Sequence, residues 1–127
     1  MDINWEVLRS NAVEAMKMAY VPYSNFPVGV AALTSDDRIV TGCNVENASY
    51  GLGLCAECGL VSNLVRTGRS ILRAIYCVDA QGEALSPCGR CRQLLWEHSV
   101  PETLFMTPEG PMPLSTLLPW AFGPENL

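Results

Sequence analysis

Two cysteine motifs, far apart along the chain, constrain the fold more than any other feature. They are Cys55-Ala56-Glu57 and, with its first thiol 31 residues after Glu57, Pro87-Cys88-Gly89-Arg90-Cys91. Three thiols drawn from both motifs can hold one zinc ion, provided the fold brings the two segments together. Three protein ligands leave a tetrahedral zinc one open position, and an open position is where zinc does chemistry. Glu57 lies two residues from Cys55, well placed to handle the protons of a water there.

Length and charge narrow the field. A chain of 127 residues is expected to form one domain, residues 1–127, burying roughly two thirds of its unfolded surface. Hydrophobic residues at 49% and charged residues at 17% favour a packed core over disorder. No apolar run approaches the ~20 residues of a membrane helix. The opening Met1-Asp2-Ile3-Asn4 lacks a secretory pattern. A cytoplasmic protein is expected, and its six cysteines then read as reduced thiols available to a metal. The net charge is −5, with one lysine, Lys17, and seven arginines scattered from Arg9 to Arg92. A polynucleotide binder needs clustered cations to neutralise phosphates, so nucleic acid is not an expected partner. An uncharged small molecule is.

Apolar residues at helical spacing predict a first helix over residues 4–20. Residues 28–33 and 38–43 read as a hairpin around Asp36-Asp37. Residues 44–54, with Gly51 and Gly53, read as a loop, and 55–65 as a buried helix ended near Gly68. A strand at 71–78, a helix at 88–98, a strand at 103–107 and a short helix at 114–118 complete the order. This predicts an α/β fold, a three-layer α-β-α arrangement with a central mixed β-sheet. Both motif helices would aim their N-termini, which stabilise thiolates, at the metal.

Spacing alone leaves alternatives. Cys55, Cys58, Cys88 and Cys91 spell C-x₂-C…C-x₂-C, the pattern of a closed structural zinc. Glu57 could serve only the helix dipole. Asn44, Glu46 and Asn47 could be ordinary turn formers, and the aromatics core or interface packing. His98, seven residues after Cys91, is about 10 Å along the predicted helix and is not expected to be a ligand.

The motif x-E followed by P-C-x-x-C is a general signature of zinc nucleobase deaminases, in its three-cysteine form here. Residues Ala19–Ala31 (AYVPYSNFPVGVA), Gly42–Tyr50 (GCNVENASY), Pro87–Gln93 (PCGRCRQ) and Leu117–Phe122 (LLPWAF) extend the match. Together they resemble the small cytidine deaminases from about Tyr20 to Phe122. The resemblance implies one Zn²⁺ per chain on Cys55, Cys88 and Cys91, with Cys58 standing where relatives commonly carry an arginine. Arg90 or Arg92 is then the candidate to offset the thiolate charge. It implies that Glu57 takes a proton from the attacking water, delivers one to N3 of cytosine and passes another to the departing amine. The products are uridine, or 2′-deoxyuridine, and ammonia, in pyrimidine nucleoside salvage. Asn44 and Glu46 would hold the ribose hydroxyls. Phe26 would pack on the base and Ala56 would read its edge through the backbone. Asn47, Tyr50 and Phe122 would complete the pocket, Phe122 from a neighbouring subunit of a homotetramer.

Overall fold

A computed structural model describes residues 2–127. Helix α1 (Trp5–Met16) is capped by Asn4, whose side chain accepts from the Val7 N–H at 3.2 Å. Leu8, Ala12 and Met16, four residues apart, form its buried stripe. The helix ends short of the predicted 20. Tyr20 is drawn off by tertiary pairing: its N–H donates to the Asn44 carbonyl at 3.1 Å and its carbonyl accepts from Glu46 N–H at 2.8 Å. The loop that begins at Asn44 therefore overrides local helix propensity.

Five strands follow: β1 (Gly29–Thr34), β2 (Ile39–Cys43), β3 (Leu72–Val78), β4 (Ser99–Thr107) and β5 (Gly110–Pro113). They lie in the order β2-β1-β3-β4-β5. β3 and β4 are parallel and every other neighbouring pair is antiparallel, so the sheet is mixed as expected. Helices α2 (Ala56–Arg66) and α3 (Gly89–Trp96) and the single turn α4 (Leu114–Leu117) complete the fold. Alternation along the strands sorts two cores. Val30, Ala32, Ile75, Cys77 and Phe105 meet the buried leucines of α2, α3 and α4 on one face. Ala31, Ala74 and Val78 meet α1 on the other. The three α-β-α layers are as predicted.

Two departures have local causes. β5 is not among the predicted elements, and its Pro111 and Pro113 are residues that most strands exclude. At an outer edge of a sheet, where one side of the strand needs no donors, proline is tolerated. Likewise β4 begins at Ser99 rather than 103, ahead of a register shift between Leu72 and Ala74 of its partner β3.

Backbone contact fixes the helix carrying the first motif. A Cβ on Gly42 of β2 would lie 2.2 Å from the Ala56 carbonyl oxygen and 2.4 Å from the Leu60 nitrogen. Only hydrogen at Gly42 lets α2 sit this close, and the position of its first turn follows. Among the described residues, no helix is long and apolar enough to cross a membrane.

Candidate active site

Cys55 and Cys88 occupy equivalent places. Each is the N-cap residue of its helix, in extended conformation. Cys91, one turn into α3, is 1% exposed. The sulfurs of Cys55, Cys88 and Cys91 all lie within 4.8 Å of one another. A tetrahedral zinc with Zn–S bonds of about 2.3 Å needs sulfurs about 3.8 Å apart, so three soft thiolates at this spacing suit the ion. Cys58 stands outside the group. This removes the geometric basis of the four-cysteine reading.

Electrostatics divide the three thiols. Burial, and then the Glu57 carboxylate, push Cys91 up. Burial also raises Cys55. Cys88 is held below its ordinary value, first by the backbone N–H of Cys91. A cation that displaces these protons binds in competition with them, so affinity for it falls in acid.

Arg90 reaches across from α3 to α2, its Nη1 donating to Cys58 Sγ at 3.3 Å. The Cys58 contact comes first in raising the Arg90 guanidinium, and Cys55 and Cys91 act in the same direction. Arg92 is occupied elsewhere. Its Nε donates to the Pro87 carbonyl at 3.0 Å and its Nη1 to the Leu117 carbonyl at 2.8 Å. Of the two candidates for offsetting thiolate charge, Arg90 has the geometry. His98 lies beyond the end of α3, not on it, and its Nδ1 accepts from Arg69 Nε at 3.0 Å.

Glu57 is 4% exposed and lines a cavity of about 260 Å³ together with all three metal-motif cysteines. Ala56, Asn44 and Glu46 line the same cavity. Asn44 Oδ1 accepts from Val28 N–H at 2.8 Å, and its Nδ2 donates to the Phe26 carbonyl at 3.0 Å. One donor and one acceptor site of the amide are left over. Glu46 Oε1 accepts from the N–H groups of Tyr23 and Ser24 at 3.0 and 3.1 Å, and Oε2 accepts the Ser24 hydroxyl. Those bonds, the Ser24 hydroxyl first, hold the Glu46 carboxyl below its ordinary value. Three of about four lone-pair sites are used, leaving one.

The remaining predicted residues stand apart from the sulfurs. Asn47 and Tyr50 line an adjoining cavity of about 350 Å³ that shares Glu46 and Gly53 with the first. Asn47 also caps a turn, Oδ1 accepting from Ser49 N–H at 2.8 Å. Phe26 and Phe122 line neither cavity. Both residues are more than half exposed, at 53% and 58%. The Phe122 carbonyl accepts from Gln93 Nε2 at 2.8 Å, which ties the C-terminal segment to α3. Sequence reasoning passed over Val28, Cys77 and Leu85, which also line the first cavity. Cys77 had one available signal, its position on the same strand face as the core residue Ile75.

The cytidine and deoxycytidylate deaminase zinc-binding region matches residues 4–107. A cytidine deaminase of Mycobacterium tuberculosis is 56% identical over 126 residues, covering 99% of this chain and 95% of the relative. One from Halalkalibacterium halodurans is 37% identical over 127 residues, covering 96% of each. Among solved structures, the M. tuberculosis cytidine deaminase superposes with a TM-score of 0.93 at 57% identity, covering 96% of this chain and 99% of that one. The Mycobacterium leprae cytidine deaminase gives 0.91 at 58% identity, covering 93% and 99%. A region match across most of the chain, a three-sulfur cluster beside a buried glutamate, and relatives above half identical nearly end to end agree: this chain belongs to the cytidine and deoxycytidylate deaminase zinc-binding family.

Proposed function

We propose that the protein hydrolyses the exocyclic amine of cytidine and 2′-deoxycytidine, releasing ammonia, in nucleoside salvage in the cytoplasm. The observation that carries this reading is a buried carboxylate, Glu57, facing the same cavity as three clustered thiols. Cys55, Cys88 and Cys91 would hold the one zinc of each chain. When bound, zinc supplies Lewis acidity that brings the pKa of water from its bulk value toward about 7. Glu57 accepts the proton that the attacking water gives up, hands one to N3 of the ring and carries another to the leaving amine. Burial in the cavity keeps that carboxylate away from bulk solvent, where its protons would exchange.

Binding falls to the loop that opens at Asn44. The spare donor and acceptor of Asn44 and the spare acceptor of Glu46 match the donor-and-acceptor character of ribose hydroxyls. Both side chains are already fixed by backbone groups, so little rotamer freedom remains to be lost when substrate arrives. Ala56, at the first turn of α2, offers backbone polar groups to the base. Arg90, from the other motif, stands in for the arginine that the family resemblance places at the position of Cys58.

The nucleoside form of the substrate follows from charge. With a net charge of −5, the chain has no surplus of cations for a polynucleotide backbone. Purified protein is expected to convert free cytidine and to leave cytosines in single-stranded DNA or RNA unchanged, as followed by absorbance and by product chromatography. Conversion in an oligonucleotide with free cytidine ignored would overturn the assignment.

A homotetramer is the assembly this reading calls for, with Phe122 completing a neighbouring subunit's pocket and Phe26, Asn47 and Tyr50 at its rim. Its support is the exposure of Tyr50 and Leu52 on the loop beside the cavities and of Trp120 and Phe122 on the C-terminal segment. Phe122→Ala is expected to raise the KM for cytidine while zinc stays at one per chain. Sedimentation should give four chains per particle. A fully active monomer contradicts the assembly.

A further inference from the structure

The geometry points to Cys77 as a positioning residue that holds the Glu57 carboxylate in register for proton transfer. Its Sγ donates to Glu57 Oε2 at 3.8 Å, and among the described residues it is the side chain that hydrogen-bonds this carboxylate. The inference rests on the reading of Glu57 as the proton carrier. A glutamate needs such a partner because its terminal torsion is broad, and a carboxylate free to turn about it spends little time aligned. Fixing Oε2 leaves Oε1 to exchange protons with water, ring and amine.

Cys77 is itself well held. It sits in β3 opposite Val30 of β1 and is 1% exposed. Its carbonyl accepts from Leu85 N–H at 2.9 Å, on the segment that runs into Pro87 and Cys88. One residue thus ties the carboxylate of the first motif to the approach of the second. Burial, followed by the nearby Glu57 charge, keeps the thiol well above its ordinary value, so it remains a donor. A thiol is also a weak donor.

Two substitutions, one larger than cysteine and one smaller, separate positioning from packing. Cys77→Val fills the site without a donor, and Cys77→Ser restores one. Positioning predicts that Cys77→Val lowers kcat for cytidine about tenfold, with KM within about twofold and zinc at one per chain. Cys77→Ser recovers most of that kcat. Stability runs the opposite way, because a buried hydroxyl is tolerated less well than an isopropyl group. A packing role alone would therefore make serine the poorer enzyme. Cys77→Ala repeats the donor-free test if valine does not fold. Parent kcat in both donor-free variants, or serine below valine, overturns the proposal. Glu57→Gln measured alongside keeps the failures distinct: if it is inactive while Cys77→Val matches the parent, only the positioning role falls. If Glu57→Gln itself retains parent turnover, the proton-carrier reading falls first.

Discussion

Glu57→Gln is expected to keep zinc at one per chain while cytidine turnover drops by about 10²–10⁴-fold, the span of general acid–base contributions. The amide preserves shape and can still receive the Cys77 hydrogen bond through its oxygen. What it loses is the ability to take up and release a proton at each stage of the reaction. Glu57 is buried beside the sulfurs, and Glu46, the other acid lining that cavity, is already engaged by Tyr23 and Ser24. Metal analysis and steady-state kinetics on one preparation check both halves. A Glu57→Gln protein with parent turnover would reduce the residue to a helix-dipole partner.

Cys91→Ala should show the second large effect: zinc falls toward zero and activity falls with it. The cysteine is buried within the three-sulfur group, and two remaining thiols make a far weaker site. Loss of a ligand that binds only the folded state also lowers apparent stability by mass action, so the melting temperature should drop and cease to respond to added zinc. Cys58→Ala is the control. That thiol lies outside the group and receives Arg90, so the variant should retain one zinc and measurable activity. Loss of zinc from Cys58→Ala with zinc kept by Cys91→Ala would restore the four-cysteine site.

Much of this was legible in the chain because short-range chemistry carried it. The motif cysteines announce a metal through residue type and spacing, and α2 and α3 begin next to them, each cysteine holding the N-cap position. The mixed sheet was legible from the order of the elements. What stayed hidden depends on partners distant in sequence. The end of α1 is set by backbone pairing of Tyr20 with residues 44 and 46. The approach of α2 is set by the absent Cβ of Gly42, a glycine that looks like any other in a strand. β5 was masked by prolines that only an edge strand accommodates. At the site, Asn44 and Glu46 were candidates by resemblance. That both are first of all struts for the 23–28 segment emerges only from their hydrogen bonds. Cys77 reaches Glu57 across 20 residues of chain, which no local pattern reveals.

The most direct measurement follows cytidine conversion to uridine while zinc is withdrawn by a chelator and added back, with metal content read on the same samples. Turnover is expected to rise in proportion to zinc, to reach its plateau at one ion per chain, and to remain near zero in Glu57→Gln at that same occupancy. Full turnover in zinc-free protein, or zinc-replete parent protein that forms no uridine, would contradict a zinc site that works through Glu57.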